Sequence, residues 1–140
     1  MRLYHGTNAA SSIKKSGFDL SRISENKGNF GAMGVGIYFT TWEQTAYSYG
    51  NECIIAEIDD SLIQDFDEST KHLDLPVSGM DRWDASSDRS WSERISDQML
   101  SKDIKASIDD SEVAVYDMSI IRIVGYTDYT TYRQEMDAYN

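Results

Sequence analysis

Gly36-Ile37-Tyr38-Phe39-Thr40-Thr41-Trp42-Glu43-Gln44-Thr45-Ala46-Tyr47-Ser48-Tyr49-Gly50 is the stretch whose reading decides the fold. Gly36 to Thr40 is aromatic and β-branched at its centre, the composition of a short strand. Thr41-Trp42-Glu43-Gln44 has the spacing of a capping box. It predicts a helix running to about Tyr49, with Gly50 as its stop. A strand that passes directly into a short helix is one step of a mixed fold, and similar steps extend both ways along the chain. Upstream, Arg2 to His5 reads as a strand ending at Gly6. Asn8 to Ser16 reads as a helix, with Thr7 or Asn8 as N-cap and Gly17 as the C-terminal stop. Between them and the deciding stretch, residues 19 to 36 are polar and hold Gly28, Gly31, Gly34 and Gly36. That length marks a candidate functional loop.

Downstream, Glu52 to Ile58 alternates into a strand, and Asp59 to Asp88 is acidic and irregular around Pro76, the only proline. Ser90-Trp91-Ser92-Glu93 is a second capping box, and Trp91, Ile95 and Met99 fall on one helical face. Val113 to Tyr116 and Ile120 to Gly125 read as strands, and the tail beyond Thr130 as a short helix. Long alternating βα units are missing, which argues against a doubly wound parallel sheet. The expectation is an α+β domain built on antiparallel strands.

At 140 residues the chain is read as one domain, 1–140, with 40% hydrophobic residues enough to bury a core. It holds no apolar run long enough for a transmembrane helix, and its first residues lack the layout of a signal peptide. Cys53 is the only cysteine, so an internal disulfide is impossible. Two histidines and one cysteine give no metal-ligand cluster. A cytoplasmic, intracellular setting is the natural expectation.

The net charge of −11 argues against nucleic acid as a partner, because phosphate neutralisation requires clustered Lys and Arg. Acidic residues gather at Asp59-Asp60, Asp65 to Glu68, Asp81 to Asp88 and Asp109-Asp110. They serve solubility, or they attract a protein partner with a basic surface.

Three short segments stand out: Leu3-Tyr4-His5-Gly6-Thr7, Gly34-Val35-Gly36-Ile37-Tyr38-Phe39, and Glu112-Val113-Ala114-Val115-Tyr116-Asp117. Singly, each has an ordinary reading as a strand-to-helix turn, a buried strand, or a strand opened by a solvated acid. In this order they resemble the H-Y-E class of ADP-ribosyltransferases, which includes the poly(ADP-ribose) polymerases and diphtheria toxin. The likeness covers roughly residues 3 to 125, with little contribution from Ile58 to Asp109.

That resemblance implies a split antiparallel β-sandwich with NAD in the cleft as substrate. It implies release of nicotinamide and transfer of ADP-ribose to a protein acceptor. His5, Tyr38 and Glu112 would be the catalytic triad. Glu112 would stabilise positive charge building on the ribose, as carboxylates do in glycosidases. Tyr38 and Tyr49 would sandwich the nicotinamide ring, with helix packing as the alternative for Tyr49. Gly6 would offer its main chain to the carboxamide, where the missing side chain permits close approach. His5 would bond the adenosine ribose, and Thr7 is a helix cap, a ribose contact, or both. Gly36 belongs to the cofactor-binding set through the second motif.

Many family members carry an arginine for the NAD phosphates where Asp19 stands here, leaving Arg22 as the nearest substitute. Asp110, two residues before Glu112, either shapes the acceptor or is a turn residue. The regulatory helical region of the DNA-damage polymerases is missing, so single transfer is expected rather than polymer. Small stand-alone transferases of this kind occur as toxins, effectors and phage-encoded modifiers of host or defence proteins. The rival readings are an NAD glycohydrolase, an RNA 2′-phosphotransferase (disfavoured by the scarcity of clustered arginines), and an inactive acidic protein that blocks a basic surface.

Overall fold

A computed structural model describes residues 1–18, 30–31, 33–73 and 89–139. In chain order the elements are β1 (Arg2–Thr7), α1 (Ala10–Ser16), β2 (Phe30–Gly31), β3 (Gly34–Val35), β4 (Ile37–Thr40) and α2 (Glu43–Ala46). There follow β5 (Glu52–Glu57), β6 (Ile63–Asp65), α3 (Phe66–Thr70), α4 (Arg89–Ser101), β7 (Ala106–Asp109), β8 (Glu112–Val115), β9 (Arg122–Asp128) and α5 (Tyr129–Asp137).

Seven strands form one sheet in the order β6-β7-β8-β4-β1-β5-β9, antiparallel throughout except for β6 beside β7. The mixed α+β class expected from the sequence is what the chain adopts. The ladder is uneven. β1 pairs with β5 along its whole length, from Arg2 opposite Glu57 to Thr7 opposite Glu52. β4 pairs with β8 from Ile37 opposite Val115 to Thr40 opposite Glu112. Between β1 and β4 a single pair remains, Tyr4 with Thr40. The seven strands are therefore one sheet with a thin seam at its centre.

Side chains alternate across the sheet and build a core on each face. On one face Trp91, Ile95 and Met99 of α4 pack with Met33, Ala114 and Tyr116. On the other lie Leu3, Ile37, Phe39, Val113 and Val115. Each large apolar side chain taken fully out of water contributes on the order of 1.5–3 kcal/mol. The helical spacing of Trp91, Ile95 and Met99 thus identified the buried face of α4, where all three are buried.

Several boundaries differ from expectation. Ala9 is the N-cap of α1, with no side-chain cap bond. Asn8 is spent elsewhere, its Oδ1 accepting from Asn51 N–H at 2.9 Å. Trp42 is the N-cap of α2, again without a side-chain cap. Thr41 instead donates its N–H to Ser111 O at 2.9 Å, tying the end of β4 to the β7–β8 turn. Helix α2 ends at Ala46, so Tyr49 lies beyond it rather than on it. Ser90 is already helical in α4 and cannot be its cap. Gly17 ends α1 as predicted, with φ +73° and its N–H on Ile13 O at 2.7 Å. No described helix is long and apolar enough to cross a membrane.

Candidate active site

The seam between β1 and β4 is bridged by a side chain. His5 follows the last β1–β4 backbone pair, and its Nδ1 lies 2.7 Å from the main-chain oxygen of Tyr38. A carbonyl only accepts, so Nδ1 carries the hydrogen and the neutral ring keeps its Nε2 lone pair as an acceptor. Burial pushes the His5 pKa down, and the bond to Tyr38 opposes that shift. Phe18 meets the imidazole edge-on at 5.1 Å and Phe39 lies at 5.5 Å. A neutral imidazole suits such an apolar frame better than a charged one.

Strand alternation places His5 with Leu3 and Phe39 on one face, and Tyr38 with Glu112 on the other. Tyr38 stands opposite Ala114 and Thr40 opposite Glu112, so Tyr38 and Glu112 are diagonal neighbours on adjacent strands. Such neighbours are typically about 7–8 Å apart. The three candidate residues are thus carried on three consecutive strands, β1, β4 and β8. Tyr38 touches His5 through its main chain and neighbours Glu112 through its side chain.

Glu112 opens β8 and is half-buried. Burial pushes its pKa up, and the charge of Asp109, its cross-strand partner in the β7–β8 hairpin, adds to the rise. The hairpin turns at Asp110 and Ser111, with Asp110 at φ +57°. Asp tolerates this left-handed conformation better than most residues. Asp110 is a turn residue.

The Tyr38 hydroxyl is engaged by the β2–β3 hairpin. It accepts from Met33 N–H at 3.1 Å and donates to Gly34 O at 2.5 Å. The ring itself is half-buried against the α4 core.

The motif glycines have packing reasons. A Cβ on Gly6 would sit 1.6 Å from the main-chain oxygen of Ala46, because α2 lies directly on β1 there. Ala46 by itself forces glycine at this position. Among the described residues the main chain from His5 to Thr7 is paired only on its β5 side, leaving its other edge outside the β4 ladder. A Cβ on Gly36 would come 2.7 Å from Val115 O, so Gly36 lets β8 approach β4 closely.

Thr7 is not the helix cap: its Oγ1 accepts from Ala9 N–H at 2.9 Å and shapes the turn before α1. Tyr49 is 66% exposed, which removes helix packing as the reason for its aromatic ring. The nearby Tyr47 is the structural tyrosine. Its hydroxyl donates to Glu43 at 3.0 Å and contacts Asp128 O at 3.1 Å, and its ring packs with Tyr129 and Tyr132. Arg22 lies outside the described residues.

Sequence reasoning missed Asp109 and Phe18 as neighbours of the site, and also the hydroxyl of Tyr116. Asp109 lies in a strand that the sequence did not announce. Phe18 follows a helix stop, where no periodicity reports on packing.

No known family model, curated protein or solved structure matches this chain.

Proposed function

We propose that this protein binds NAD at the central seam, breaks its nicotinamide–ribose bond, and transfers a single ADP-ribose unit to a protein acceptor. One observation carries the reading. Three separate sequence motifs bring His5, Tyr38 and Glu112 onto three consecutive strands, with His5 and Tyr38 meeting at the junction where β1 and β4 share a single backbone pair. A division at that junction into β1-β5-β9 and β4-β8-β7-β6 is the one a split sandwich of the ADP-ribosyltransferase type would require, which supports the reading.

In this mechanism the C1′–N bond of the nicotinamide ribose breaks, and its electron pair leaves with nicotinamide. Positive charge spreads over C1′ and the ring oxygen. The Glu112 carboxylate faces that charge from a half-buried position, where screening by water is reduced. An acceptor nucleophile then bonds C1′ and gives up its proton. His5 contributes the Nε2 acceptor to a ribose hydroxyl. Tyr38 and the exposed Tyr49 supply aromatic faces for nicotinamide. The net charge of −11 favours an acceptor with a basic surface. The setting we infer is the cytoplasm, of the producing cell or of a host.

Incubation of a cell lysate with tagged NAD, with and without Glu112→Gln, tests this reading. A discrete labelled protein band that the variant loses is the expected result. Nicotinamide release without labelling makes the protein a glycohydrolase. Neither product, across lysates of differing origin, leaves the acidic binding protein as the better account.

A further inference from the structure

Tyr116, the tyrosine that closes the third motif, is 1% exposed and follows β8 directly. Its hydroxyl donates to Met33 O at 2.7 Å. The N–H of the same Met33 donates to the Tyr38 hydroxyl, which donates onward to Gly34 O. Two tyrosine hydroxyls from different motifs therefore grip one two-residue segment. That segment is itself fixed. Met33 is 1% exposed and packs in the core with Trp91 and Ile95. Gly34 has φ +99°, and a Cβ there would lie 3.0 Å from Ile95 Cγ2 of α4. Burial keeps the Tyr116 phenol protonated well above neutral pH, so it remains a donor.

We propose that Tyr116 is a positioning residue for the aromatic face of the NAD site. It fixes Met33, and Met33 with Gly34 fixes the hydroxyl end of Tyr38. The half-buried Tyr38 ring is thereby held at one tilt and offers a preset face to a flat aromatic ligand. Preorganisation of this kind spares the ordering cost of binding. The inference rests on the reading of Tyr38 as a ring that meets nicotinamide. It predicts that Tyr116, which touches no ligand, tunes nicotinamide recognition and leaves the rest of the NAD site alone.

The test uses Tyr116→Phe, Tyr38→Phe and the double variant, each in the Glu112→Gln background so that NAD is not turned over. Calorimetry compares NAD with ADP-ribose, which lacks the nicotinamide ring, and thermal melting monitors the fold. Each single variant is expected to weaken NAD about five- to tenfold, the scale of one net hydrogen bond, and to leave ADP-ribose binding unchanged. The double variant is expected to be no worse than the weaker single one, because both act through Met33. Equal loss for both ligands, no loss for either, or fully additive effects would overturn the proposal. Should the Glu112→Gln parent bind neither ligand, the NAD reading itself fails. The link is then read by hydrogen exchange at the Met33 amide, which Tyr116→Phe should speed by a similar factor. Unchanged exchange would sink the link independently of any ligand.

Discussion

His5 and Tyr38 are joined by a 2.7 Å contact from imidazole Nδ1 to main-chain oxygen, placed where the backbone pairing between their strands gives out. One side chain thus closes a gap in the sheet and, by the same bond, fixes its own tautomer. The stitch and the proposed ribose acceptor are two ends of one ring.

This arrangement makes stability depend on His5 protonation in a stated direction. Burial lowers the folded-state pKa below the ordinary 6.5. The unfolded chain therefore takes up the proton first as pH falls. The His5 contribution is present above about pH 6.5 and is lost as pH drops through the depressed folded value. Urea midpoints at about pH 7.5 and at about pH 5 should converge between wild type and His5→Gln as pH falls. A constant difference at both pH values would show that His5 protonation is not linked to folding.

Asp109 should govern the acid side of the activity profile. Burial and the Asp109 charge both raise the Glu112 pKa, so its carboxylate is lost on acidification earlier than an ordinary glutamate. Asp109→Asn removes the repulsive charge and should move the acid limb of nicotinamide release to lower pH, with the plateau rate retained. The linked stability runs the same way. A raised carboxyl pKa favours the fold below the unfolded pKa, and that advantage is lost as pH rises through the folded value. A limb that stays in place would mean Asp109 does not act on Glu112.

Two tyrosines close in sequence should separate cleanly. Tyr49→Ala touches an exposed ring and should change unfolding free energy by less than about 0.5 kcal/mol. It should weaken NAD binding about tenfold through loss of stacking. Tyr47→Phe loses hydroxyl contacts to Glu43 and Asp128. It should cost about 1–2 kcal/mol of stability. Urea titration and calorimetry on both variants check the contrast, and interchange of the two outcomes would contradict it.

Gly6→Ala drives a methyl group into the Ala46 carbonyl. Because that oxygen is backbone, α2 must move as a unit. The expected cost is about 3 kcal/mol, the upper range for overpacking. Activity should fall together with the urea midpoint. A variant with full stability and no activity would return Gly6 to a purely ligand-directed role.

The sequence made some of this legible and concealed the rest, for physical reasons. The strand patterns of β1, β4, β5 and β8 were readable because each carries large apolar or β-branched residues. Gly17 was readable because only glycine stops a helix that cheaply at positive φ. β7 was not, because Ala106 and Ser107 are small residues fully buried in a packed sheet, and smallness gives no strand signal. β6 and α3 were hidden in the acidic stretch, where Asp65 caps α3 by accepting from Glu68 N–H. Both capping boxes were misread, since Trp42 rather than Thr41 starts α2 without a side-chain bond and Ser90 already lies inside α4. The candidate site residues are legible as motifs in order, whereas the Met33 grip joins residues 83 positions apart and leaves no local pattern.

Nicotinamide release by the purified protein, wild type against Glu112→Gln, tests the central claim most directly. The account predicts release by the wild type and a loss of about 100- to 1000-fold in the variant, equivalent to about 2.7–4 kcal/mol of transition-state stabilisation. NAD affinity should remain within a few-fold. Equal release by both proteins, or NAD binding abolished along with release, would contradict it.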